Sequence, residues 1–135
     1  MLIVSPGWAS AIGCSLTAVL LSCGCGGRGA AAVTPVAQTA SVEVVALTEF
    51  KFTPNPIEAH VGATTFRLTN EGQAGHDFTI VSTDGHHRLA HSGLIAPGMG
   101  ATLTTTLRVG TYPVICTQPG HQEAGMEAVL QVLPA

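Results

Sequence analysis

From Ser41 onward the chain is a succession of short runs rich in Val, Ile, Thr, Leu and Phe, separated by the turn signals "TPNP", "NEGQAG", "TDGHH", "APGMG" and "RVG". No run sustains a helical period over three turns, so no helix can gather the apolar residues onto one stripe. Alternation does gather them. In "TTFRLTN", Phe66 and Leu68 fall on one face while Arg67 and Thr69 fall on the other, as in a sheet wet on one side. Short strands punctuated by turns predict an all-β sandwich or barrel of about seven or eight strands.

Strands are expected at 41–50, 57–60, 64–70, 76–82, more weakly at 87–93, and at 101–109, 111–116 and 126–133. Parity predicts that Phe78 and Ile80 point inward together and that Leu103, Thr105 and Leu107 form another set. In the last strand it turns Met126, Ala128, Leu130 and Val132 inward, with Glu127 and Gln131 outward. The chain has only four Phe and one Tyr, so much of the core has to be aliphatic.

The first forty residues are of another kind: "MLIVSPGWASAIGCSLTAVLLSCGCGGRG" is apolar through "LTAVLLS" and then turns to Gly, Ala, Thr and Pro. Residues 1–22 read as an export signal or, since about 20 apolar residues cross a bilayer, as an uncleaved membrane anchor. Leu20, Leu21, Ser22 and Cys23 resemble the lipobox of bacterial lipoproteins, whose cysteine becomes a lipid-bearing N-terminus, although no Lys or Arg precedes the apolar run. An ordinary signal-peptide cysteine is the other reading of Cys23. Residues 23–40 hold too few large side chains for a core and are expected to tether the domain, residues 41–135, to the membrane. The implied location is the periplasm or the outer face of the cell membrane.

Charged residues make up 10% of the chain and the net charge is -3, so no basic face exists to neutralise phosphates and nucleic acid is not expected as a partner. Cys14, Cys23 and Cys25 lie in the N-terminal segment, which excludes a disulfide framework for the domain. Cys116 is left alone there. A lone thiol in an exported domain is a liability unless it is buried or bound.

Cys116 opens the stretch "CTQPGHQEAGM", which places a thiol, an imidazole and a thioether (Cys116, His121, Met126) at five-residue intervals. Pro119 and Gly120 bend this stretch between two expected strands, so the three side chains can converge at one end of the sandwich. His76, at the head of "GHDFTI" and followed by the inward-facing Phe78 and Ile80, is the natural candidate for a fourth donor. A thiolate, two imidazoles and a weak thioether are the donor set of a type 1 copper site. Zinc more often recruits further Cys, His or a carboxylate, and calcium and magnesium want oxygen. Met126 has a second reading, because its parity also fits core packing. His86, His87 and His91 in "DGHHRLAH" have no thiol or carboxylate at ligand spacing and read as solvated loop residues.

These residues resemble those of the cupredoxins, the family of plastocyanin, azurin, pseudoazurin, rusticyanin and sulfocyanin. The resemblance spans about residues 42–133 and is carried by His76 in "GHDFTI" and by Cys116, His121 and Met126 in "GTYPVICTQPGHQEAGM", with support from "APGMGATLTTTL". The separation Cys-x4-His-x4-Met is longer than that of plastocyanin and resembles that of rusticyanin-like proteins. The resemblance implies a Greek-key β-sandwich, one type 1 copper per chain, and a single-electron carrier cycling Cu(II)/Cu(I) between redox proteins that dock transiently near His121. Pro97, Met99 and Ala124 would form the apolar docking patch. Asp77 stands where many members carry an Asn that helps brace the cysteine loop, so that bracing does not carry over.

A metal held by these four residues has no strong open position for a substrate, so the expectation is a monomeric, non-enzymatic domain. The competing reading is copper binding, buffering or delivery in the cell envelope, which uses the same donors but demands ready release. A copper enzyme such as a nitrite reductase needs a second metal and usually a second domain, for which this chain is too short unless it assembles with others.

Overall fold

The computed structural model describes residues 40–135. The expectations for residues 1–22, for Cys23 and for all but the last residue of the 23–40 segment lie outside the described residues. Among the described residues no helix is long and apolar enough to cross a membrane.

Among the described residues nine strands follow one another: β1 (Ser41–Thr48), β2 (Lys51–Thr53), β3 (Ile57–His60), β4 (Gly62–Asn70), β5 (Thr79–Val81), β6 (Arg88–His91), β7 (Gly100–Leu107), β8 (Gly110–Ile115) and β9 (Glu127–Leu133). They form a sandwich of two sheets, one in the order β2-β1-β4-β7 and the other β3-β9-β8-β5-β6. β1 runs parallel to β4 and β3 to β9, while the remaining pairs are antiparallel.

The facing follows from alternation. Phe66 and Leu68 are buried while Arg67 and Thr69 are exposed, and Met126, Ala128, Leu130 and Val132 all turn into the core. Phe78 sits edge-on to Phe52, with centroids 5.7 Å apart, and tilted against Phe66 at 5.2 Å. This aromatic trio is surrounded by Val45, Leu47, Ile57, Ile80, Val114 and Leu130, so the core is as aliphatic as the composition requires. Each fully buried Leu, Ile or Phe contributes roughly 1.5–3 kcal/mol. At one corner the Tyr112 hydroxyl donates to the Arg108 carbonyl at 2.9 Å and ties the β7–β8 connection.

Three features differ from the expectation. The run ending at Phe50 is cut short: the chain reverses through Glu49 and Phe50, and β2 pairs back on β1 with Lys51 opposite Thr48. No Gly, Pro, Asn or Asp marks that turn, which left the ninth strand invisible. His76 does not begin a strand but makes an isolated bridge to Ile95, and β5 starts at Thr79. In the third set only Leu107 is fully buried, with Leu103 and Thr105 partly so, because β7 is an edge strand.

The register brings the chemistry to one end. Ile115, the last residue of β8, lies opposite both Thr79 and Glu127, so the segments that carry Cys116, Asp77 and Met126 meet there.

Candidate metal centre

Leaving β8, the chain makes a loop cinched by its own main chain. The Cys116 N–H donates to the Met126 carbonyl at 3.2 Å, the Met126 N–H to the His121 carbonyl at 2.9 Å, and the His121 N–H to the Gln118 carbonyl at 3.0 Å. Gly120 and Gly125 take positive φ values of 79° and 98°, which lets so short a loop fold back on itself.

His76 is set from the other side. Its N–H and carbonyl exchange hydrogen bonds with Ile95, at 3.1 and 2.7 Å. Buried Asn70 fixes both approaching segments: its amide donates to the carbonyls of Ala74 and Ile95, each at 2.8 Å, and its oxygen accepts from the Gly72 N–H at 2.9 Å. Sequence reasoning missed Asn70, although an Asn heading a glycine-containing loop is a recognised turn signal.

These supports bring three donors together. His76 Nδ1 lies 3.2 Å from His121 Nδ1, and Cys116 Sγ lies 3.5 Å from His121 Nδ1. One ligand atom from each residue falls within 4.8 Å of the others. His76 and Cys116 are fully buried and His121 partly so. Burial, reinforced by the neighbouring His121, holds His76 below the ordinary histidine range, so its imidazole is neutral and its lone pair free. Burial pushes the Cys116 thiol up. A metal taking the sulfur therefore displaces a proton.

The family model for the cupredoxin-like domain matches residues 15–130. The chain belongs to the cupredoxin family. No curated protein matches it. Among solved structures this cupredoxin is similar to the dithionite-reduced auracyanin from the photosynthetic bacterium Roseiflexus castenholzii, with 22% identity over 71% of this chain and 98% of that one and a TM-score of 0.62. It is also similar to auracyanin A, a "blue" copper protein from the green thermophilic photosynthetic bacterium Chloroflexus aurantiacus, with 21% identity, coverage of 70% and 100%, and a TM-score of 0.62. An azurin from the obligate methylotroph Methylomonas sp. strain J is 13% identical, with coverage of 69% and 98% and a TM-score of 0.59. At these identities the likeness speaks for the fold.

The cofactor of such a cupredoxin is one type 1 copper ion, and the donor set here fits it: one sulfur and two facing imidazole nitrogens in a closely spaced group buried except at His121. Met126 is buried at the base of the same loop, joined to Cys116 and His121 through its main chain. Pro97, Met99 and Ala124 are all exposed. The aromatic that touches His121 is one that sequence reasoning passed over, Phe50, whose ring meets the imidazole edge-on with centroids 5.3 Å apart. Phe50 is 45% exposed and holds a positive φ of 57°.

Asp77 also acts in a way the sequence did not announce. Its buried carboxylate accepts from the Thr117 N–H, the Thr117 hydroxyl at 2.8 Å, the Gln118 amide at 2.8 Å and the Thr79 hydroxyl at 2.9 Å, so the loop after Cys116 is braced by an anion. The Asp77 N–H points at Cys116 Sγ at 3.5 Å. His91, exposed like its loop neighbours, brings Nε2 to 3.7 Å from Asp77 Oδ1. His86 and His87 are exposed.

Proposed function

We propose that the protein is a single-electron carrier whose copper ion is held by Cys116, His76 and His121, with Met126 as a weak fourth donor. Copper supplies a one-electron couple, Cu(II)/Cu(I), at potentials within reach of other redox proteins. The observation that carries the reading is the grouping of three donor side chains within 4.8 Å on two segments fixed by main-chain hydrogen bonds. A centre held this firmly changes oxidation state with little movement, and four protein donors leave no strong position for a substrate.

The donors divide the work. Cys116, fully buried beneath its loop, provides the strongest bond and a route into the protein. Buried His76 holds the ion from the core side. His121, partly exposed and edge-on to Phe50, is where electrons pass to partners, with Phe50, Pro97, Met99 and Ala124 offering a small apolar patch for brief docking. The low net charge of -3 leaves steering by charge weak. Residues 1–22 would export or anchor the chain, and 23–40, with a lipid on Cys23, would tether a monomeric domain outside the cytoplasmic membrane.

The test is the visible and EPR spectrum of the copper-loaded domain. An intense visible band is expected, lost in Cys116→Ala. A colourless product under oxidising conditions with adequate copper refutes the assignment, and loss of copper to a chelator faster than electron exchange with a redox partner favours delivery over carriage.

A further inference from the structure

We propose that Glu49, at the tip of the β1–β2 turn, is the hydrogen-bond acceptor for His76 Nε2–H and thereby a positioning residue of the metal centre. This rests on the ligand assignment above and deepens it.

His76 turns Nδ1 toward His121, at 3.2 Å, which sends Nε2 to the opposite side. An imidazole that gives its Nδ1 lone pair to a metal carries its proton on Nε2, so that atom becomes a donor that needs an acceptor. Here Nε2 is buried and, among the described residues, has no hydrogen-bond partner. Glu49 Oε1 faces it at 3.9 Å, about one ångström beyond a hydrogen bond, from a side chain that is 44% exposed.

Two further observations show that the carboxylate is placed there rather than passing by. Glu49 Oε1 accepts the N–H groups of Gln73 and Ala74, the latter at 3.1 Å, so it is anchored on the loop that leads to His76. Gly72 leaves the space between them: a Cβ there would stand 2.6 Å from Glu49 Oε1 and 3.0 Å from His76 Nε2. The same turn carries Phe50, which packs on His121, so adjacent residues of one hairpin reach both imidazoles.

An anionic acceptor fixes the ring tautomer and makes the other nitrogen a better donor. A stronger donor favours Cu(II) over Cu(I), so Glu49 lowers the reduction potential. The experiment compares the copper-loaded wild type with Glu49→Gln, Glu49→Ala and Gly72→Ala by redox titration at neutral pH. At an ambient potential equal to the wild-type midpoint, the Cu(I):Cu(II) ratio is expected to rise about tenfold in Glu49→Ala, equivalent to about 59 mV for one electron, with a like rise in Gly72→Ala and a smaller one in Glu49→Gln.

A second readout needs no copper. In the metal-free protein, 15N NMR should find the His76 proton on Nε2 and exchanging slowly with water, with exchange about tenfold faster in Glu49→Ala and near wild type in Glu49→Gln, which keeps the oxygen acceptor. If the wild type takes up copper and shows its band, but all four proteins share one potential and one exchange rate, Glu49 has no such role. If the wild type shows no band, the carrier reading fails separately, and the NMR comparison still decides whether Glu49 holds the His76 proton.

Discussion

The Asp77 carboxylate receives donors from both oxygens' surroundings, namely the Thr117 main chain and hydroxyl, the Gln118 amide and the Thr79 hydroxyl. An Asn side chain has one acceptor oxygen, and its amide would set N–H against N–H; this chain therefore needs the acid it has. Burial alone would raise the carboxyl, but hydrogen bonds from Gln118, Thr117 and Thr79 outweigh it and hold the group below its ordinary value of 3.8. A depressed carboxyl contributes stability that is fully present above about pH 3.8 and is lost as the pH falls through the folded value. Denaturant titrations of the metal-free protein should show this acid-dependent loss. In Asp77→Asn the loss should shrink, with a neutral-pH cost of about 1–3 kcal/mol from the donors left unpaired. The sequence displayed Asp77 beside His76 but not this network, because Thr117 and Gln118 lie some forty positions further along the chain.

The β1–β2 turn is the element most at odds with its own sequence. A positive φ of 57° suits Gly or Asn, yet Phe50 holds it, with its ring against His121. Replacing Phe50 separates backbone from ring. Phe50→Ala loses the contact and keeps the unfavourable conformation, whereas Phe50→Gly loses the contact and relieves it, so the Gly variant should be more stable than the Ala variant by about 1 kcal/mol in thermal or denaturant unfolding. Strands with a wet and a dry face, β4 and β9, were legible by parity alone. The turn was not, since its shape comes from contacts with residues near 72–76 and 121 rather than from local propensity. His76 was picked out from the sequence, but its setting lay beyond local reading for the same reason: it is fixed by Asn70 and Ile95 instead of by a strand of its own.

At the scale of the molecule, an ion that binds the folded centre and not the unfolded chain stabilises the whole sandwich. With free copper at a hundred times its dissociation constant the gain is about 2.7 kcal/mol, and thermal melts with and without copper should show it for the wild type and not for Cys116→Ala. The sandwich and its single core could be anticipated from strand length and alternation, but the order of strands in each sheet could not. β1 takes β4 as a parallel neighbour, and Ile57 in β3 lies opposite Leu130 in β9, across most of the domain's length. Such pairings close large loops before any favourable contact is made, which places the chain among slow folders, on a scale of milliseconds to seconds. Until they form, His76 stays apart from the loop that carries Cys116, His121 and Met126, so the proposed centre is complete only once the sheets have assembled.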